Sequence, residues 1–94
     1  MNPFIILDKK DNVATALMEL PVGFVMESSQ LPVKVVCTQA IPKGHKVALV
    51  SLQAGDKAIK YGTPIGRMTR DAEAGSLVHV HNLTSCRGKE KAGG

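Results

Sequence analysis

One four-residue pattern recurs along this chain and limits what it can fold into: an apolar residue, two variable residues, a glycine, and then a strand-like run. It occurs as Leu20-Pro21-Val22-Gly23 before Phe24-Val25-Met26, and as Ile41-Pro42-Lys43-Gly44 before His45-Lys46-Val47-Ala48-Leu49. It returns as Leu52-Gln53-Ala54-Gly55 before Asp56 to Tyr61, and as Ala72-Glu73-Ala74-Gly75 before Ser76 to Val80. Each reads as a turn in which glycine takes a positive φ before the chain extends, with the apolar residue pinning the corner to the core. Pro21 and Pro42 preset φ for the turn. The irregular spacing of the four glycines argues against a solenoid. It predicts a compact β domain of short strands joined by similar corners.

Further strands are expected over Phe4-Ile5-Ile6-Leu7 and over Leu31 to Val36, where Pro32 stands at the start and its missing N–H is tolerated. Tyr61-Gly62-Thr63-Pro64-Ile65-Gly66 reads as another turn. Val13, Ala16 and Leu17 fall at i, i+3 and i+4, which predicts one short helix over Val13 to Met18, capped by Asp11 or Asn12. The fold class is therefore all-β, mainly β with one short helix.

Ninety-four residues make one domain. Phe4, Phe24 and Tyr61 are the only aromatics, so the core must be aliphatic. The net charge of +4 is dispersed, with neither a dense basic patch nor stacking platforms, which argues against a nucleic-acid module. No leader-like segment and no run long enough to span a bilayer is present, which predicts no membrane association and a cytoplasmic location with free thiols at Cys37 and Cys86. A disulfide between the two stays open. The domain is expected over residues 1–82, followed by a polar, glycine-rich tail over 83–94.

Val78-His79-Val80-His81-Asn82 holds two of the three histidines. As a strand it would put His79 and His81 on one face, about 7 Å apart at Cα, with the valines anchored on the other. Such a pair can point at one ion or anion, but two ligands are an incomplete metal set. Asn82 is placed to orient an imidazole or to bond a substrate hydroxyl. His45, after the Gly44 corner and beside Lys46, is a candidate general acid/base or anion contact. Lys60 is a candidate carboxylate clamp, with Tyr61 supplying a hydroxyl. The competing readings are structural: a solvent-facing pair, a turn histidine, a surface lysine. Gly62, Pro64 and Gly66 read as fold determinants, and Arg67 and Arg70 as a solvated face in preference to a contact for an anion or an acidic partner. Asp11, Asp56 and Glu73 show no paired arrangement suited to carboxylate catalysis. No nucleophile elbow, phosphate loop or zinc knuckle appears.

Gly44-His45-Lys46-Val47-Ala48-Leu49, Ile59 to Gly66, and Gly75 followed by Val78 to Asn82, in that order and at those distances, resemble the SAF-type domain of the altronate/galactarate dehydratase family. The likeness runs from about Phe4 to Asn82. It implies a β-clip fold and a place in sugar-acid metabolism. In that family the domain either begins a long polypeptide or stands alone as a small subunit. This chain ends soon after the motif, so the stand-alone form is expected, docked on a large catalytic dehydratase subunit and helping to close its active site over a hydroxylated carboxylate. A divalent metal, iron by family habit, would be held mainly by that partner, with His79 and His81 as the ligands this chain could add. His45, His79 and His81 would then be the catalytic candidates, and Lys46, Lys60, Tyr61 and Asn82 the substrate contacts. A homo-oligomer is compatible with the same reading. Two alternatives stand beside it: the small subunit of a 3-sulfolactate sulfo-lyase, and a non-catalytic carbohydrate-binding or assembly module.

Overall fold

A computed structural model describes residues 2–85. The strands are β1 (Phe4–Ile5), β2 (Val13–Ala16), β3 (Val25–Met26), β4 (Val35–Val36), β5 (Lys46–Ala48), β6 (Lys57–Lys60), β7 (Thr63–Met68), β8 (Leu77–Val78) and β9 (Leu83–Ser85). They form a four-stranded sheet in the order β1-β2-β5-β8, a β3-β4 ribbon and a three-stranded β6-β7-β9 sheet. All pairings are antiparallel. No helix among the described residues is long and apolar enough to cross a membrane.

The four corners are the joints of this architecture. Gly23, Gly44, Gly55 and Gly75 have φ of 86°, 85°, 96° and 91°. In each, the residue after glycine donates its N–H to the carbonyl three residues before it: Phe24 to Pro21 at 3.0 Å, His45 to Pro42 at 3.0 Å, Asp56 to Gln53 at 2.9 Å, Ser76 to Glu73 at 3.1 Å. A closing bond with positive φ at the third position is the type II arrangement. The corners also pair with one another. Leu20 and Ile41 exchange backbone bonds of 2.9 and 2.8 Å, and Leu52 and Ala72 exchange two of 2.7 Å. The pinning residue of each corner is thus both buried and satisfied by its counterpart.

Two apolar clusters flank the central sheet. Ala14, Ala16 and Val47 face one, with Phe4, Leu20, Met26 and Ile41; Val13, Ala48 and Val78 face the other, with Leu52 and Met68. Because β2 is covered on both sides, Val13, Ala14 and Ala16 are all buried without strict alternation, and a short run of that kind has no period that separates strand from helix. The expected helix over Val13 to Met18 is therefore corrected to a strand. Of its expected apolar face, Val13 and Ala16 are buried in different clusters and Leu17 is 38% exposed, so the three do not form one inner face. Asn12 caps nothing; its Oδ1 accepts the Ile59 N–H at 2.6 Å and its Nδ2 donates to the Lys57 carbonyl at 2.9 Å, tying β6 to the start of β2.

Three boundaries also move. Only Val35–Val36 of the expected Leu31 to Val36 strand is extended and paired. The turn expected over Tyr61 to Gly66 is confined to Tyr61 and Gly62, and Thr63 to Gly66 lie in β7. Pro64 stands opposite Ile59 of β6, whose N–H and carbonyl both bond Asn12 instead, and β9 pairs only with Gly66 to Met68, so no ladder bond is asked of its nitrogen. Leu83–Ser85 form a strand, so the ordered domain passes the expected limit at Asn82. Cys37 is buried in the first cluster, and burial raises its thiol pKa. Cys86, and with it the open question of a disulfide, lies outside the described residues, as do residues 86–94 of the expected tail.

Candidate functional site

The register of β5 on β8 assembles the site. Lys46 stands opposite Val78, so the next residues outward, His45 and His79, come face to face. Their ring centroids are 4.6 Å apart with the planes tilted by 48°. His45 precedes the regular part of β5, half-buried after the Gly44 corner, with Nδ1 3.3 Å from the Lys43 carbonyl. Lys46 shares its face of β5 with the buried Ala48 and lies beside Thr15 of β2. Lys60 arrives from the end of β6. Lys46, Lys60, Ile65, His79, Val80 and Leu83 line an open cleft of about 310 Å³. No carboxylate is among those lining residues.

The expected strand through Val78 to Asn82 ends at Val78. His79-Val80-His81-Asn82 is a turn, closed by the Asn82 N–H donating to the His79 carbonyl at 2.9 Å. Asn82 is buried, and its side chain enforces the turn: Oδ1 accepts the His79 N–H at 2.9 Å, and Nδ2 donates to the Leu77 carbonyl at 3.0 Å. The valines do not share an anchored face, since Val78 is core and Val80 is 81% exposed. His79 and His81 therefore do not share a strand face. His79 turns into the cleft toward His45, and His81 is exposed outside the lining. Asn82 has both ends of its amide engaged within the chain and shapes the site from behind it.

These positions decide the electrostatics. The pKa of His79 is lowered, first by its desolvation and then by the charges of His45, Lys46 and His81. That of Lys46 is lowered by burial and by Lys60. Positive groups gathered without a counter-ion attract an anion and repel a cation. The donor set does not fit a metal: among the described residues no group of three or more His, Cys, Asp or Glu is placed to hold one. The two ammonium groups beside His79 would oppose it. Sequence reasoning reached each polar lining residue but grouped them wrongly, and it missed Ile65 and Leu83 as apolar walls. An Asn three residues after a histidine, accepting its N–H, is the turn signal that separates His79 from His81.

Two outcomes follow from this geometry. Replacing Asn82 with Ala should cost about 1–3 kcal/mol, because the half-buried Leu77 carbonyl and His79 N–H both lose their partner; urea unfolding measures it. Replacing Lys46 with Met should move the His79 pKa upward toward its ordinary value of about 6.5, read by histidine NMR titration. The sign is set by linkage. A histidine whose folded pKa is depressed binds protons more readily in the unfolded chain, so its site costs no stability above about pH 6.5 and costs some as pH falls below it. The Met variant should lose less stability on acidification than the parent.

An all-β domain of short paired strands, cornered by type II glycine turns and carrying a cationic cleft at one sheet end, defines an SAF-like β-clip domain. Residues 2–86 match the altronate/galactarate dehydratase SAF domain, and the chain belongs to that family. It is 38% identical over 82 residues to altronate dehydratase of Bacillus subtilis, covering 87% of this chain but 16% of that protein. With the altronate dehydratase of Escherichia coli it shares 42% identity over 79 residues, 84% of this chain and again 16% of the relative. It is 46% identical over 63 residues to (2R)-sulfolactate sulfo-lyase subunit alpha of Paracoccus pantotrophus, covering 67% of this chain and 94% of that subunit. The chain thus spans about one-sixth of the altronate dehydratases it matches and nearly all of the sulfo-lyase subunit.

Proposed function

We propose that the chain is the small subunit of a two-component lyase, docking on a separate catalytic subunit and completing its active site around a hydroxylated carboxylate. The observation that carries this reading is the cleft of Lys46, Lys60 and His79, backed by His45 and free of any lining carboxylate. Elimination from such a substrate starts with loss of a proton α to the carboxylate; negative charge builds up on that carboxylate as the proton is removed and passes to the leaving group as it departs. Lys46 and Lys60 are placed to hold the carboxylate and to stabilise that charge. His79, with its depressed pKa, is neutral near pH 7 and free to accept a proton or relay one. Docking would exclude water and strengthen each of these interactions. The divalent metal is assigned to the partner, since the cationic cleft does not suit it.

Water is the leaving group in the first form of the proposal, with altronate or galactarate as substrate. A second form has sulfite leaving 3-sulfolactate, and the match over 94% and 95% of two sulfo-lyase alpha subunits favours it. The test is affinity capture of the tagged chain from its host, followed by assay of the recovered complex. A 2-keto sugar acid formed from altronate or galactarate supports the first form; sulfite released from sulfolactate supports the second. A chain that recovers no lyase partner, and binds a sugar acid by itself, would instead be a carbohydrate-binding module.

A further inference from the structure

The turn between β6 and β7 is built against the preference of one of its residues. Tyr61 and Gly62 have φ of 56° and 76°, the pair of left-handed conformations of a two-residue type I′ hairpin. Asn, Asp or Gly normally takes the first position, because a Cβ-bearing residue with a bulky ring is strained there. Gly62 meets every other demand of the turn. Its N–H donates to Asp11 Oδ1 at 2.7 Å, and a Cβ on it would lie 2.7 Å from Asp8 Oδ2. Tyr61 is 43% exposed and belongs to neither apolar cluster, so packing does not account for it. What the ring does contact is a charge: Lys60 Nζ lies 4.9 Å from its centroid.

We propose that Tyr61 is a positioning residue, whose ring holds the Lys60 ammonium at the mouth of the cationic cleft. This rests on the reading of that cleft as an anion site. Lys60 stands among like charges, close enough to Lys46 to lower its pKa. Left alone, a flexible ammonium so placed swings out into water, where repulsion is screened and its rotamers are free. An aromatic face within about 6 Å attracts the cation and offsets both tendencies. The strained backbone is then tolerated because it points the ring at Lys60, as strain at binding sites commonly does. The hydroxyl has no part in this role, which departs from the substrate contact expected from sequence.

Titrating the full chain with galactarate at constant ionic strength, following the His79 ring by NMR, tests the assignment. Tyr61→Asn should weaken Kd by about two- to fivefold, the worth of an exposed cation–π contact. Its Tm should equal or exceed that of the parent, since Asn suits the turn. Tyr61→Phe should restore the parental Kd. The proposal is overturned if Tyr61→Phe binds as weakly as Tyr61→Asn, which would give the contact to the hydroxyl. It is also overturned if Tyr61→Asn lowers Tm along with affinity, or binds like the parent. Lys60→Met separates the layers. Weaker binding in Lys60→Met with parental binding in Tyr61→Asn removes the positioning role alone. No galactarate response in the parent, or no change in Lys60→Met, removes the anion site and the proposal together.

Discussion

Gly75→Ala is expected to be the most destabilising single-methyl change in the domain, costing about 3–5 kcal/mol and lowering Tm by roughly 15–25 °C. Two costs add. The φ of 91° is foreign to an L-residue and alone is worth about 1–2 kcal/mol. The new Cβ would also drive into the Val36 carbonyl at the end of β4. The backbone has little freedom to retreat: the Gly75 N–H is held by the Ala48 carbonyl at 2.8 Å, and its own carbonyl by the Thr38 N–H at 2.9 Å. Gly55→Ala is the internal control. Its φ is 96°, but nothing lies within 4 Å of the added atom, so only the conformational cost applies. Chemical denaturation of the two variants decides the matter, and equal losses would mean that the close approach at Gly75 relaxes without cost. Against a total stability of about 5–15 kcal/mol, the expected difference separates a folded variant from a marginal one.

The same comparison shows what kind of information the sequence carries. The four corners were legible because their requirement is local: a positive φ needs glycine whatever surrounds it. That Gly75 alone among the corner glycines is crowded was not legible, since the crowding atom lies on β4, far away in the chain. The Val13 to Ala16 strand was misread because burial on both faces erased its alternation. The meeting of His45 with His79 follows from the β5–β8 register, which no local pattern specifies. Val78 to Asn82 failed for another reason. Its β-branched residues favour extension, but one buried amide claims the His79 N–H and the Leu77 carbonyl and bends the chain after Val78. The residue types of the site were thus readable, and their grouping was a tertiary fact.

The largest functional effect is expected at His79, and the turn makes it asymmetric. In the lyase complex proposed above, His79→Ala should lower kcat by about 10²–10⁴, the usual worth of a positioned acid/base group. His81→Ala should cost far less, because its side chain lies outside the cleft lining and reaches His79 only through its charge. Had the segment been a strand with both imidazoles on one face, the two losses would be similar. The pH profile gives an independent reading. His81→Ala removes one of the charges that depress the His79 pKa, so the acid limb of the rate should move to higher pH while the plateau is largely kept. His79→Ala should abolish that limb. Both variants must first be shown to bind the partner as the parent does, since Val80 between them is largely exposed to any docking surface. Equal losses of kcat would return the pair to a shared role. Parental kcat in both, with assembly weakened, would make this turn a docking element and leave the chemistry to the partner.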